Sequence, residues 1–341
     1  MARSKIPPRR VIHKPRTALR AATLSVQRAP QCDIFTSPTS VRAEVLRIVP
    51  SKKATPHTHI VLAPGNPGVI EYYRPLLHKL HTRLPHDVRN HVSLHALGLP
   101  GHDVRQLNGD TEFVIQDHVA YYIHYLREMT DMRDNFIFVG HSYGAFLSLR
   151  VLDSLGDKIA RNANLVMLMP CIWQMAYCAG PFLRLLIQDN WALTSWGAWL
   201  ATAFLPPMFR EALLQRARHS HSVQDVTRAV VDGRRRALYA NVTSLARDEM
   251  KRITHVQAHR LPQHSLTLCV DNDRWCPEDA RSHIRQHFER RLEIQHLQKV
   301  SHAFVLSDSE TDRLVRAIAP WIAERIHHTV NQAVPNGSAS S

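Results

Sequence analysis

Apolar positions along the chain fall into short runs that alternate with longer stretches in which apolar residues recur at helical spacing. The short runs predict β-strands at residues 41–49, 59–63, 91–97, 135–139, 164–169, 265–270 and 292–297. The longer stretches predict helices, among them residues 71–83, 111–127 and 311–326. Because strands and helices alternate, the pattern predicts an α/β fold with a mostly parallel, doubly wound sheet.

Residues 140–144 read Gly-His-Ser-Tyr-Gly and lie between a predicted strand and a helical pattern. This G-x-S-x-G arrangement is typical of a nucleophile elbow, in which a strained turn exposes the serine hydroxyl. A side chain at Gly140 or Gly144 would crowd such a turn. The motif therefore predicts Ser142 as a nucleophile and the backbone amide of Tyr143 as an oxyanion-hole donor.

The second half of the chain supplies an acid and a base in a suitable order. Asp273 follows the predicted strand 265–270, and His302 follows the predicted strand 292–297. Parallel strands bring their carboxyl ends to one edge of a sheet, so both side chains are expected near Ser142. The order serine, acid, histidine is that of the α/β-hydrolases. His302 is expected to take the proton of Ser142, and Asp273 to hold the imidazole tautomer.

Two alternatives to these assignments remain open. Asp271 competes for the acid role, although Asp273 is favoured because it stands four residues before Pro277, where a strand-end turn would enter the next helix. His141 competes for the role of base, but inside the elbow its side chain is not expected to face Ser142.

A Pro-Gly-Asn-Pro-Gly loop at residues 64–68 follows the predicted strand 59–63. Hydrolases with a nucleophile elbow place the second oxyanion-hole donor in such a strand-to-helix loop. We therefore assign this role to the backbone N–H near Asn66. A simple connecting turn is the alternative.

Residues 162–209 are nearly free of charge and interrupt the alternation of strands and helices. Arg184 and Asp189 are the only charged residues there, and four of the six tryptophans of the chain lie in this stretch. Tryptophan suits a lipid interface because its apolar ring carries a polar N–H. The composition favours helices that dip into a lipid surface or roof an apolar pocket. A buried helical insertion and a single membrane-spanning helix remain alternatives.

Residues 210–260 are basic, with eleven Lys or Arg against five acids. A basic helical segment beside an apolar one favours an anionic surface, although a solvated helix face explains any single arginine equally well. We therefore predict a helical cap or membrane-associating insertion at residues 171–260. This insertion divides a core made of residues 39–170 and 261–328.

The formal net charge of +14 is unevenly spread, because residues 1–32 contain eight Lys or Arg and no acid. Residues 1–38 are expected to form a disordered basic extension, with a mitochondrial transit peptide or a polybasic membrane contact as alternatives. No secretory signal is expected, because the N-terminal stretch lacks an apolar segment. Residues 329–341 are expected to form a disordered tail.

The five cysteines are scattered, and the chain has neither an H-E-x-x-H motif nor a paired C-x-x-C motif. Reduced thiols in a protein that faces the cytosol are the simplest interpretation, and no metal is expected. The positive charge indicates an anionic partner surface. Because no RNP, zinc-finger or helix-turn-helix pattern accompanies it, nucleic acid is not expected as a partner.

Taken in order, the motifs resemble those of the lipid droplet-associated hydrolases, a branch of the α/β-hydrolase fold. The resemblance rests on residues 64–68 with Tyr72-Tyr73, residues 140–144, residues 273–277 and residues 302–304. It spans roughly residues 40–325. It implies a triad of Ser142, Asp273 and His302, association with lipid droplets and endoplasmic reticulum through an apolar segment, and hydrolysis of neutral lipid esters.

The motifs therefore predict a serine esterase, and the resemblance implies that it hydrolyses a sterol ester or acylglycerol at the cytosolic face of lipid droplets or the endoplasmic reticulum. The expected partners are the lipid ester and the lipid monolayer, and no metal or organic cofactor is expected. A droplet-surface organiser with a nearly idle triad remains an alternative. A thioesterase or acyltransferase could use the same triad.

Overall fold

A mixed sheet lies at the centre of the computed structural model, which describes residues 29–203, 221–232, 235–256 and 258–333. Its strands are β1 (Gln31–Thr36), β2 (Arg42–Ile48), β3 (Thr58–Ala63), β4 (Val92–Leu97), β5 (Asn135–His141), β6 (Ala163–Leu168), β7 (His264–Val270) and β8 (Leu292–Leu297). Across the sheet they follow the order β1-β2-β4-β3-β5-β6-β7-β8. β2 pairs antiparallel with both β1 and β4, and β3 to β8 run parallel to one another, which confirms the predicted mostly parallel sheet.

Helices connect most of the strands. They are α1 (Arg74–Arg83), α2 (Ile115–Met129), α3 (Tyr143–Leu155), α4 (Asp157–Asn162), α5 (Met175–Arg184), α6 (Trp191–Ala203), α7 (His221–Asp232), α8 (Arg236–Arg252), α9 (Glu278–Phe288) and α10 (Asp308–Ala333). α2, α3 and α9 pack on one face of the sheet, and α1 and α10 pack on the other. The sheet is therefore doubly wound, as predicted.

The central strands are buried along their whole length because helices cover both of their faces. Tyr121 and Phe146 contribute to the apolar layer on one face, and Leu77, Ile318 and Ile322 contribute to the layer on the other. Burial of each such side chain contributes about 1.5–3 kcal/mol. This packing fixes the carboxyl ends of β3, β5, β7 and β8, from which the candidate site is built.

Both ends of the described core extend further than the sequence indicated. Residues 1–38 were expected to be disordered, which is wrong for Gln31–Thr36, because this stretch pairs with β2 as the edge strand β1. The disordered tail expected at 329–341 is wrong for residues 329–333, because α10 continues to Ala333. The remaining residues of these predictions, 1–28 and 334–341, lie outside the described residues.

The predicted insertion lies between β6 and β7, and most of its described residues are helical, with non-helical stretches at residues 171–174, 253–256 and 258–260. α5 is broken at Gly180, which has a φ of 76° and precedes Pro181. A π-helical turn, Leu185–Asp189, then leads towards α6. The Arg247 guanidinium lies 4.3 Å from the Trp191 ring centre and joins α8 to α6. Residues 204–220 of the predicted insertion lie outside the described residues.

The membrane-spanning alternative for this insertion can be compared with the described helices. Within the residues that the structure covers, no helix combines the length and the apolar character needed to cross a bilayer.

Candidate active site

Ser142 lies in a strained turn between β5 and α3. Its φ of 54° and ψ of −119° lie outside the common regions for a residue with a side chain, at a cost of about 1–3 kcal/mol. The turn needs glycine on both sides of the motif. A Cβ at Gly140 would lie 2.5 Å from the backbone N of Ala145, and one at Gly144 would collide with the carbonyl oxygen of Ala63. The packing of the turn thus explains the two glycines of the motif.

The structure brings Ser142, His302 and Asp273 together in one hydrogen-bonded row. His302 Nε2 lies 3.0 Å from Ser142 Oγ. On the other side of the ring, His302 Nδ1 lies 3.0 Å from Asp273 Oδ2 and 3.1 Å from Oδ1. Asp273 is only 6% exposed and also accepts a hydrogen bond from the backbone N–H of Trp275 at 2.9 Å. This geometry suits proton transfer from the serine to the imidazole.

The two competing residues lie elsewhere. The Asp271 side chain is 61% exposed and lies 3.4 Å from His296 Nδ1, away from the serine. Both ring nitrogens of His141 are occupied by other partners, Tyr73 and the backbone carbonyl of His302. In this arrangement neither residue is placed to exchange a proton with Ser142.

A buried hydrogen-bond chain, which sequence reasoning missed, connects the loop after β3 to the candidate base. The Gly65 N–H donates to the Tyr73 hydroxyl oxygen at 2.8 Å, and the Tyr73 hydroxyl donates to His141 Nδ1 at 2.6 Å. His141 Nε2 then donates to the carbonyl of His302 at 3.0 Å. Burial lowers the pKa of His141 well below its usual value, so the ring is neutral and this proton order is consistent.

Cys171 is a second contact of the nucleophile that the sequence did not reveal. Its Sγ lies 3.0 Å from Ser142 Oγ, and its backbone N–H donates to the Ser142 carbonyl at 3.1 Å. Burial raises the pKa of this thiol well above its usual value, so it remains protonated. The thiol can donate to a lone pair of the serine oxygen while the serine hydroxyl donates to His302.

The loop at residues 64–68 packs against the nucleophile Ser142. A Cβ at Gly65 would lie only 2.8 Å from the Cβ of Ser142, so the backbone of the loop and the elbow are in direct contact. Tyr143 is the first residue of α3, where backbone amides have no partner within the helix. Asn66 and Tyr143 are therefore both beside Ser142, and their role as oxyanion-hole donors stays a prediction.

An apolar cavity of about 380 Å³ opens at Ser142 between the sheet and the insertion. Its walls consist of Asn66, Pro67, Ser142, Cys171, Met175, Leu183, Ile187, Val242, Ala246, Glu249, Met250, Trp275 and His302. A second cavity of about 210 Å³ shares Asn66, Pro67 and His302 with the first. Apolar space therefore extends to both sides of the candidate base.

Glu249 is the one carboxyl group in the wall of the larger cavity, and sequence reasoning did not single it out. Its side chain accepts a hydrogen bond from Asn66 Nδ2 at 3.2 Å. Burial raises the pKa of Glu249 to about 7, against the lowering effect of that hydrogen bond. No group of three or more His, Cys, Asp or Glu side chains suited to a metal ion occurs in the part of the chain that the structure describes.

Most of the chain matches a known protein family. A family model described as lipid-droplet associated hydrolase matches residues 56–305. The lipid droplet-associated hydrolase of Gallus gallus is 24% identical over 293 residues, which cover 80% of this chain and 86% of that protein. The lipid droplet-associated hydrolase of Rattus norvegicus is 25% identical over 288 residues, which cover 78% of this chain and 85% of that protein.

Solved structures share the fold at much lower identity. An esterase from Exiguobacterium antarcticum is 12% identical with a TM-score of 0.57, covering 86% of this chain and 99% of the esterase. A putative epoxide hydrolase from Pseudomonas aeruginosa is 15% identical with a TM-score of 0.59, covering 88% of this chain and 98% of that structure. These similarities confirm the predicted α/β-hydrolase fold.

Proposed function

The chain belongs to the family of lipid-droplet associated hydrolases, and from this premise we propose that it is a serine esterase acting on neutral lipid esters. The observation that carries the proposal is the hydrogen-bonded row of Ser142, His302 and Asp273, with both contacts of the imidazole at 3.0 Å. A serine activated by a histidine whose tautomer is held by a carboxylate is the arrangement for acyl transfer.

The proposed reaction has two halves that use the same groups. Ser142 Oγ attacks the ester carbonyl while His302 Nε2 takes its proton, and the backbone amides of Asn66 and Tyr143 stabilise the oxyanion. His302 then gives that proton to the leaving alcohol, which leaves an acyl-enzyme on Ser142. A water molecule that loses its proton to His302 attacks the acyl group, and the returning proton restores the serine. Asp273 holds the imidazolium throughout.

The walls of the site support a neutral and largely apolar substrate. The larger cavity contains no lysine or arginine among its lining residues, and Met175, Leu183 and Ile187 supply much of its surface. The smaller cavity continues beyond Asn66 and His302. An ester bond at Ser142 thus has apolar space for an acyl chain on one side and for an apolar alcohol on the other. Sterol esters and acylglycerols have this form.

The insertion supports action at a lipid surface. It carries exposed apolar side chains, including Phe182 at 72%, Leu185 at 55% and Leu193 at 73% exposure. We propose that this surface docks on the phospholipid monolayer of lipid droplets and on the cytosolic face of the endoplasmic reticulum. The names of the relatives in Gallus gallus and Rattus norvegicus support the droplet part of this proposal.

The same exposed surface favours one further candidate function. A droplet-surface organiser would need the apolar insertion and would not need the triad. Within the enzymatic proposal, a thioesterase or an acyltransferase would use the same triad with a different acyl donor or acceptor.

Labelling with a fluorophosphonate probe tests the esterase proposal most directly. We expect the wild-type protein to be labelled and Ser142→Ala to remain unlabelled, because the probe phosphonylates an activated serine. Unlabelled but folded wild-type protein, in the presence of lipid droplets, would refute the serine esterase and favour the organiser. Hydrolysis of sterol esters, acylglycerols and acyl thioesters then separates the enzymatic alternatives.

The acid is tested in the same preparation by a matched pair of variants. Asp273→Asn is expected to lower kcat about 10⁴-fold, because the imidazole loses the partner that fixes its tautomer. Asp271→Asn should retain wild-type kcat, since that side chain is largely exposed and faces His296. The reverse result would move the acid to Asp271.

A further inference from the structure

The insertion holds the loop after β3 through two hydrogen bonds to one side chain. Asn66 Nδ2 donates to Glu249 Oε1 at 3.2 Å and to the carbonyl of Val242 at 3.0 Å. Both acceptors belong to α8 and are about two helical turns apart. Asn66 therefore has both of its amide hydrogens directed at one helix of the insertion.

Glu249 is also in the position to influence the nucleophile. It is 6% exposed and lines the same cavity as Ser142 and His302. The neighbouring residue of Asn66, Gly65, is in van der Waals contact with the elbow, because even a Cβ there would come within 2.8 Å of Ser142 Cβ. The Asn66 side chain is thus anchored to the insertion from a loop whose backbone packs against the nucleophile.

We propose, on the basis of the esterase function above, that Glu249 is a positioning residue for the reaction. As a neutral carboxyl group it holds Asn66, and through Asn66 the oxyanion loop, against the elbow. When it ionises, it places a negative charge beside the developing oxyanion and slows acylation. The insertion is then a working part of the oxyanion hole and not only a wall of the lipid pocket.

The surroundings of Glu249 support this role. Burial raises its pKa to about 7, so it changes charge near neutral pH. Tyr143 on α3 and Cys171 after β6 have pKa values well above their usual ones, because both are buried and both feel the charge of Glu249, so they remain neutral. His302 lines the same cavity, and Asp248 on α8 pairs instead with Arg252 at 3.6 Å.

The expected pH dependence follows from the sign of this charge. Below its pKa Glu249 is neutral and the oxyanion forms without a nearby negative charge. Above its pKa the carboxylate repels the oxyanion, and no lysine or arginine among the lining residues compensates it. The value of kcat should therefore fall on the alkaline side of the pKa of Glu249.

Three variants test the proposal with a water-soluble p-nitrophenyl butyrate assay between pH 6 and 9. Glu249→Gln keeps a hydrogen-bond acceptor for Asn66 and should hold kcat within about threefold of wild type at pH 7 while abolishing the alkaline fall. Glu249→Ala releases Asn66 and should lower kcat about 10–100-fold with little change in KM. Asp248→Asn is the matched control on the same helix and should keep the wild-type pH profile.

A double-mutant cycle tests whether Glu249 acts through Asn66. In an Asn66→Ala background, Glu249→Ala should lower kcat by less than about threefold, because the two changes remove one interaction. An alkaline fall that persists in Glu249→Gln would overturn the proposal, and so would a loss in Glu249→Ala confined to KM. If Glu249→Ala does not fold, the pH profile of Glu249→Gln still decides.

Fluorophosphonate labelling separates this proposal from the function on which it rests. Unlabelled wild-type protein refutes the esterase. A labelled wild type whose pH profile is shared by Glu249→Gln refutes only the positioning role of Glu249.

Discussion

Tyr73 connects two parts of the candidate site that the chain separates by long distances. Its hydroxyl accepts a hydrogen bond from Gly65 in the loop after β3 and donates one to His141, which in turn donates to the backbone carbonyl of His302. The tyrosine is buried, so water cannot replace its hydroxyl without rearrangement. One phenolic oxygen thus fixes the distance between the predicted oxyanion donor and the predicted base.

We expect Tyr73→Phe to damage both stability and turnover. The change leaves the Gly65 N–H and His141 Nδ1 buried without partners, which costs about 1–3 kcal/mol in the free energy of unfolding. Looser placement of the loop and of His302 should lower kcat about tenfold. Urea unfolding and ester hydrolysis measure the two effects.

Tyr72→Phe is the matched control for this prediction. The Tyr72 hydroxyl donates to Thr227 at 3.3 Å and does not touch the hydrogen-bond chain. It should cost less than about 1 kcal/mol and leave kcat unchanged. Equal losses of kcat in the two variants would show that the Tyr73 hydroxyl has no special role.

Sequence reasoning named the residues of the candidate site that follow strands and missed those that come near them only in the folded chain. Ser142, Asp273 and His302 could be chosen because each follows a predicted strand of a parallel sheet. Cys171 and Glu249 contact the same site from the segment after β6 and from the insertion. No spacing rule links those positions to the elbow, because their proximity depends on how the insertion packs.

At the scale of elements, α5, the π-helical turn Leu185–Asp189 and α6 present apolar side chains to two environments. Leu183 and Ile187 point into the cavity, whereas Phe182, Leu185 and Leu193 are largely exposed. A helical segment that is apolar on its outer face as well as its inner face suits a lipid surface, because that surface buries the outer face. The same segment then lines the cavity at Ser142 with its inner side chains and faces the proposed monolayer with its outer ones.

We expect the triple variant Phe182→Ser, Leu185→Ser and Leu193→Ser to lose binding to lipid droplets. Each apolar side chain that enters the monolayer contributes about 1.5–3 kcal/mol, so the loss should be large. Flotation with triolein droplets coated with phospholipid measures it. Hydrolysis of p-nitrophenyl butyrate should persist, because these side chains do not line the cavity.

A control triple variant carries serine at Ile34, Val49 and Met129, which are exposed apolar residues outside the insertion. It should float with droplets as the wild type does. Full flotation of the insertion variant would contradict the assignment of the docking surface.

The ends of elements were less predictable than their types. β1 was missed because its residues 31–36 adjoin a basic stretch and alternate only weakly, and its partner β2 supplies the pairing. α10 was predicted to end near residue 326 but reaches Ala333, where polar residues continue a helix already fixed by Ile318 and Ile322. Tertiary contacts, and not local propensity, set these boundaries.

At the scale of the whole molecule, several histidines are buried in the neutral form. His57 and His102 are each 1% exposed, and burial lowers the pKa of both to about 4. Burial also lowers the pKa of His95, His118 and His141 well below the usual value. In the unfolded chain these histidines would bind protons from about pH 6.5 downwards, whereas in the folded chain they bind protons only at lower pH.

Two buried carboxyl groups act in the opposite direction. Burial raises the pKa of Glu44 and of Glu249 to about 7, so the folded chain takes up their protons before the unfolded chain does. Between pH 7 and about 4.5 this uptake favours the folded state as the pH falls. The five histidines outnumber the two glutamates, so the net effect of acidification below pH 6.5 is destabilising.

The free energy of unfolding should therefore fall between pH 6.5 and 5, by about 1.4 kcal/mol per pH unit for each net proton that the unfolded state binds. Urea unfolding at pH 7.5, 6.5 and 5 measures the slope. His102→Asn should reduce that slope by about 1.4 kcal/mol per pH unit, the contribution of one proton, because one buried titrating group is removed. His255→Asn, at an exposed histidine, should leave it unchanged. Stability that stays level down to pH 5 would mean that the buried histidines accept protons in the folded state.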